Sequence, residues 1–303
     1  MKPSPFTYHR PQTLEEALAV LAEVGHDGKV LAGGQSLLPI MSMRLAAPGH
    51  LVDVNRLRDL AYVRSGPDGV HVGALARHAA VDRDAAAAAT LPLLRQAVRH
   101  VAHPTIRNRG TSVGSLVHAD PSGELTAVLA LTGGHVDLAS ATGVRTVAAT
   151  DFFLGPLESA VRPGELAVEA WFPAFAAGTG TAFVEAARRH GDYAMAGLAA
   201  AVTIVDGRVT SARAAYISMA PTAVVVDLTP DAPAGGPGAP GGPTDPAAWA
   251  GAAGAAVARL EPEPDLHAST AYRAQLARAL TARAMAQAAA VAAAADTREV
   301  AAR

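Results

Sequence analysis

The sequence predicts an α+β fold in two domains, with a boundary near residue 175, on three observations. About the first 55 residues read as a strand, a Gly-Gly turn, a helix and a second strand. Two later stretches alternate apolar and polar residues on either side of a tight turn, the pattern of antiparallel hairpins. The chain closes in Ala-rich segments with the periodicity of helices.

Each element follows from its residues. "TLEEALAVLAEVG", Thr13 to Gly25, is a helix with Thr13 as N-cap, acids in the first turn and Gly25 as C-cap. "KVLAG" is a short strand. "SLLPIMSMRLA" is a helix capped by Ser36 and ended near Pro48-Gly49, and Pro39 falls in its first turn, where a missing N–H costs little. "HLVDVN" is the next strand. "GVHVGALA" alternates as a strand, and "ATLPLLRQAVRHVA" is helical. Thr105 to Gly123, "TIRNRGTSVGSLVHADPSG", has no strong period and reads as a long ordered loop. "ELTAVLALTG" is a buried short helix stopped by Gly133-Gly134, "HVDLASATGVRTVAATDFFLG" a hairpin turning at Thr142-Gly143, and "LAVEAWFP" a strand. After Pro173 the pattern changes. "LAAAVTIVDGRVTSARAAYISM" is a hairpin about Asp206-Gly207, and residues 230–246 are Pro/Gly-rich and expected to be flexible. "STAYRAQLARALTARAMAQAAA" is the clearest C-terminal helix; the second domain is expected over 176–290 and a tail over 291–303.

Composition removes several function classes. Half of the 303 residues are hydrophobic, 17% are charged and the net charge is −2, so no basic field points to nucleic acid or an anionic membrane. No apolar run reaches membrane-spanning length, and "MKPSPFTYHRPQTLEEALAVL" has no apolar core behind its lysine, so a cytoplasmic address is expected. Cysteine is absent. Any redox chemistry therefore needs an organic cofactor or a partner chain, because a thiolate-held cluster is impossible here. His100, His103 and His118 form no i, i+4 pair and stand near no carboxylate at ligand spacing, so no metal site is expected. No G-x-S-x-G elbow supports a serine hydrolase.

Three glycine-rich stretches remain. Gly236, Gly238 and Gly241 match G-x-G-x-x-G literally, but prolines interleave them and no strand precedes them, so they read as a loop. Gly33-Gly34 is different, because it joins a strand to a helix. Glycines there let backbone N–H groups approach an anion with no Cβ in the way, and the Ser36 hydroxyl adds a donor. A plain strand-to-helix turn is the alternative. Gly110, Thr111, Gly114 and Ser115 offer a second such nest, with Glu124 placed to accept from ribose hydroxyls; an ordered surface loop is the alternative. Two nests on separate elements suit a ligand with two phosphates. "RRHGDYA", Arg188 to Ala194, is either a solvated bend or an aromatic beside a flat ligand.

"AGGQSLLPIMSMRL", "TIRNRGTSVGSLVHADPSGELTAVLAL", "RRHGDYAMAG" and "DLHASTAYRAQLARAL" occur in the order and spacing of one family. The chain resembles the FAD-binding medium subunits of molybdenum hydroxylases, which include the carbon monoxide dehydrogenase medium subunit and the flavin domain of xanthine dehydrogenase. The resemblance covers about residues 3 to 290. It implies a two-lobed FAD-binding domain of the vanillyl-alcohol-oxidase type, with lobes of about 1–55 and 56–175. A smaller C-terminal domain with a three-stranded antiparallel sheet and helices would follow. It implies an FAD-dependent oxidoreductase subunit that takes electrons from molybdenum through [2Fe–2S] clusters and passes them to an external acceptor. The molybdenum cofactor would lie in a large partner subunit and the clusters in a small one. On the resemblance, Ala32, Gly33, Gly34, Gln35 and Ser36 form the first pyrophosphate loop, and Thr111, Ser112, Val113, Gly114 and Ser115 the second. Lys29, Val30 and Leu37 flank the first loop. His118 and Glu124 approach the ribityl-to-ribose region, Leu166 lines the pocket, and Tyr193 lies near the isoalloxazine ring. No acid–base residue is implied, and the FAD is expected to be noncovalent.

The family's second loop usually reads T-I-G-G; here it is "TSVGS". A β-branched Val113 is costly if its φ is positive and harmless if negative, and the second case is expected. Two other readings stay open: a stand-alone flavoenzyme on this fold, and a non-catalytic assembly subunit that has lost FAD through the Val113 change.

Overall fold

The computed structural model describes the backbone of residues 2–302 and the side chains of residues 2–298. The first lobe contains β1 (Thr7–His9), α1 (Leu14–Val24), β2 (Gly28–Leu31), α2 (Leu37–Ser42) and β3 (His50–Asp53). Its three strands are parallel in the order β1-β3-β2, so both connections are helical crossovers. Thr13 caps α1 as expected: its Oγ1 accepts from Glu16 N at 3.2 Å, and Gly25 ends the helix at φ +54°. Helix α2 is shorter than expected. It stops at Ser42, and Arg44 at φ +59° turns the chain away before Pro48.

The second lobe begins with β4 (Val63–Gly66) and β5 (Gly69–Gly73), then α3 (His78–Arg83), α4 (Ala85–Thr90), α5 (Pro92–Val98), α6 (Pro104–Arg107), α7 (Ser112–His118) and α8 (Glu124–Thr132). It continues with β6 (His135–Ser140), β7 (Gly143–Ala148), α9 (Ala149–Phe152), β8 (Phe153–Gly155), β9 (Glu158–Ser159) and β10 (Leu166–Pro173). The main sheet is antiparallel in the order β4-β5-β10-β6-β7. The expected loop over 105–123 is corrected here: it contains α7 and the end of α6. Val113 and Leu116, three apart, turn one face of α7 into the core, a signal too short to stand out as a period in sequence.

The C-terminal domain contains β11 (Thr179–Ala186), β12 (Ala196–Val205), β13 (Arg208–Ile217), β14 (Val224–Asp227), α10 (Ala250–Val257) and α11 (Thr270–Ala302). Its antiparallel sheet has four strands, not the expected three, because Val224–Asp227 pairs with β13. Asp206 (φ +49°) and Gly207 (φ +73°) make the predicted hairpin turn. The stretch 230–246 forms successive turns instead of a flexible loop, pinned by buried Trp249, whose Nε1 donates to Pro243 O at 2.8 Å. Residues 291–302 continue α11 rather than forming a tail.

Strand alternation divides the core. On β12, Ala199 and Ala201 face the second lobe with Phe183 and Ile217, while Leu198, Ala200 and Val202 face α10 and α11. Helix α8 lies between the two sheets, which explains why Leu125 to Leu129 and Leu131 of "ELTAVLALT" are buried and none of its residues is exposed. The third cluster joins α1 and β3 to Leu75, Ala139 and Leu166 of the second lobe. No helix among the described residues is long and apolar enough to cross a membrane.

Candidate FAD-binding site

The two glycine-rich segments meet where the first two lobes touch. Gly33 lies so close to the second segment that a Cβ on it would stand 2.7 Å from Gly110 Cα, 2.8 Å from Arg109 O and 2.9 Å from Thr111 N. Its identity is fixed by contact between two backbones. Gly34 has a different reason: it sits at φ +71°, which glycine alone adopts freely. Gln35 Nε2 donates to Gly33 O at 3.0 Å, bracing the turn. Ser36 is corrected as a cap. It is itself α-helical and makes no capping bond, so its hydroxyl is not consumed by the helix. Lys29 is exposed and Val30 half-buried on the strand leading in, Ala32 is half-buried in the loop, and Leu37 opens α2.

A polar relay holds the segments in register. Asn55 Nδ2 donates to Ala32 O at 2.8 Å and to Asp53 Oδ1 at 2.7 Å. Asn55 Oδ1 accepts from Arg77, and Arg77 also donates to Arg109 O. Tyr8 closes the relay on Asp53. An isolated bridge pairs Arg77 with Thr111. Asn55 and Arg77 carry no motif and were not legible as site residues; only the fold brings positions 32, 55, 77 and 109 together.

Thr111 is the N-cap of α7, and its Oγ1 accepts from Gly114 N at 3.2 Å. A Cβ on Gly114 would stand 2.5 Å from that oxygen. Ser112 and Val113 are turned inward, at 0% and 2% exposure. Ser112 Oγ lies 3.2 Å from His78 Nδ1, and Ser112 N donates to Ala76 O. Val113 has helical, negative φ and packs in the main core, so the substituted glycine needs no left-handed backbone. Neither side chain is open to a ligand; only their backbone could face one. Ser115 is half-buried in the same turn. Burial, then the nearby Arg107 charge, lowers the His78 pKa to about 4, so this imidazole is neutral at pH 7.

A second group gathers beyond α7. His118 ends that helix with Nε2 4.0 Å from Asp120 Oδ2. Glu124 opens α8, and desolvation, reinforced by Glu185 and Asp120, pushes its carboxyl up to about 8. Tyr193 lies between β11 and β12 with 69% of its surface exposed. Desolvation and then the Asp120 and Glu124 carboxylates raise the pKa of its phenol. Leu166 is buried with Val30 and Ala32 in the cluster behind the first loop. Among the described residues, no three His, Cys, Asp or Glu side chains gather to hold a metal.

The cradle suits a dinucleotide pyrophosphate. Two backbone turns approach each other with no Cβ between them, and the cationic Arg77 joins them. Residues 4–175 match the family described as the FAD binding domain in molybdopterin dehydrogenase, and residues 181–288 match the CO dehydrogenase flavoprotein C-terminal domain. The chain belongs to this family of oxidoreductases, and FAD is its cofactor. It is 38% identical over 297 residues to the 6-hydroxypseudooxynicotine dehydrogenase complex subunit alpha of Paenarthrobacter nicotinovorans, covering 95% of this chain and 96% of that one. It is 39% identical to the carbon monoxide dehydrogenase medium chain of Hydrogenophaga pseudoflava, over 74% of this chain and 78% of that one. Among solved structures, quinoline 2-oxidoreductase from Pseudomonas putida 86 superposes with a TM-score of 0.88 at 36% identity, covering 97% of this chain and all of the matched chain.

Proposed function

We infer that this chain is the FAD-carrying electron-transfer subunit of a cytoplasmic molybdenum hydroxylase complex. A large subunit would hold the molybdenum cofactor and a small subunit the [2Fe–2S] clusters, which a chain without cysteine cannot ligate. The observation that carries the reading is the glycine-only apposition of Gly33 with Gly110 and Thr111. Bound there, the flavin supplies storage for electrons on their way to an external acceptor. The chain's own residues bind and orient. Ala32 to Ser36 and Thr111 to Ser115 present backbone to the pyrophosphate. Lys29, Val30 and Leu37 flank the first turn, and Leu166 backs it. His118 and Glu124 meet the ribityl and ribose hydroxyls, with desolvation raising the Glu124 pKa in the cofactor-free protein. Tyr193 lies against the isoalloxazine ring.

Purification of the native complex tests this. A flavin spectrum with co-purifying molybdenum and iron is expected. Flavin alone, in an active single chain, would identify a stand-alone flavoenzyme, and a colourless protein an assembly subunit. Acid precipitation should release all of the flavin into the supernatant, since no His lies in either glycine loop and no Cys exists; yellow colour in the pellet would refute noncovalent binding.

A further inference from the structure

The stretch "DLHASTAYRAQLARAL" has no place in the cradle, yet the fold sends one of its residues toward Tyr193. Arg273, in the first turn of α11, is 6% exposed. Its Nη1 donates to Met195 O and, at 3.2 Å, to Ser218 O. Its Nη2 donates to Asp265 Oδ2 at 2.6 Å. Asp265 is fixed in turn, because its Oδ1 accepts from His267 N at 2.8 Å and Ala268 N at 2.9 Å.

Ser218 passes the clasp onward. It sits in the left-handed region at φ +60°. Its Oγ bonds Ala194 O at 2.6 Å and Ser122 Oγ at 2.8 Å, and its N donates to Pro121 O at 2.8 Å. The carbonyls of both residues after Tyr193 are therefore held, one by Ser218 and one by Arg273. Pro121 and Ser122, between Asp120 and Glu124, are tied to the same serine. Met195 N donates to Ala186 O at 2.8 Å and closes the loop that carries Tyr193.

We propose that Arg273 is a positioning residue of the flavin site: through Ser218 it fixes Tyr193 relative to Asp120 and Glu124, and so sets how the phenol meets the isoalloxazine ring. The proposal rests on the FAD reading given under Proposed function. Its chemistry needs a guanidinium. A planar fork reaches two carbonyls and a carboxylate together, which the single ammonium of lysine does with poorer geometry. The clasp is also poor as a purely stabilising device. Arg273 Nε is buried without a hydrogen-bond partner among the described residues, and its one carboxylate partner, Asp265, is exposed, so the pair adds little to stability.

The test uses the full chain in its native complex and reads flavin content and flavin fluorescence, which an adjacent tyrosine quenches. Tyr193→Ala is the reference and should raise fluorescence severalfold per bound FAD. Arg273→Met should retain stoichiometric FAD while raising fluorescence at least twofold. The double variant should rise no further than Tyr193→Ala alone. Arg273→Lys should fall between Arg273→Met and wild type. If Arg273→Met fails to fold, Ser218→Ala replaces it, with the same twofold rise expected. Unchanged fluorescence in Arg273→Met, or in Ser218→Ala where it is the substitute, overturns the positioning role while leaving the FAD site standing. Unchanged fluorescence in Tyr193→Ala overturns the placement of Tyr193 and this proposal with it.

Discussion

Gly33 and Gly236 are the same residue type under opposite constraints. A methyl on Gly33 drives into the backbone of Gly110, whereas one on Gly236 meets only Gly207 O, at 3.7 Å. Gly33→Ala is therefore expected to strip FAD from the purified protein, and Gly236→Ala to leave flavin content unchanged; equal flavin content in both would undo the cradle. Val113 belongs to the core. Val113→Gly should cost the apo-protein roughly 2–4 kcal/mol, from lost burial and from glycine in a helix, while FAD affinity changes by less than about tenfold. Urea unfolding and FAD titration of the same variant separate the two effects. Buried His78 and half-buried Glu124 give opposite pH dependences. His78 has its folded pKa lowered from 6.5 to about 4, so its contribution is complete above 6.5 and is lost as pH falls toward 4. Glu124 has its folded pKa raised from 4.5 to about 8, so its contribution is complete below 4.5 and is lost as pH rises through 8. Cofactor-free Glu124→Gln should match wild type near pH 4.5 and exceed it in urea midpoint at pH 8. A midpoint difference that does not grow with pH would contradict the desolvation of that carboxyl.

Between elements, the two nests work only as a pair. Asn55 and Arg77 join the loop after β2 to the segment before α7, so removing either frees both. Asn55→Ala and Arg77→Ala should each weaken FAD binding about tenfold or more, and the double variant should lose less than the sum, as for groups in one network. Additive losses would mean that the two act separately. Helix α11 and β11 meet in a similar way: a Cβ on Gly180 would stand 2.1 Å from Ala288 O and 2.4 Å from Ala292 N. Gly180→Val should lift the helix from the sheet and lower the melting temperature by several degrees, with flavin content at low temperature retained.

Across the whole molecule, the α-helix and hairpin signals with local causes were legible. Thr13 and Gly25 bounded α1, Asp206-Gly207 bounded a hairpin, and the largely apolar α8 announced its burial. The misses share a physical cause. Helix α7 spans only Ser112–His118, so its core face is too short to declare a period. Strand β14 forms because β13 offers it an edge, and the turns over 230–246 are held by a tryptophan further along the chain.

Local chemistry is written in the chain itself: which residues cap, which turn, which glycines lack a Cβ, and that no cysteine is available for a cluster. Family membership was legible for the same reason, since the motifs are contiguous. Which glycine matters, and for what, was decided by tertiary structure. Gly33 needs its bare backbone because Gly110 and Thr111 face it from another lobe, and Val113 is tolerated because its side chain turns into a core built from distant helices. Asn55, Arg77, Ser218 and Arg273 became visible only there, because a hydrogen bond depends on separation in space, and the folded chain brings together groups as far apart in sequence as Ser218 and Ser122.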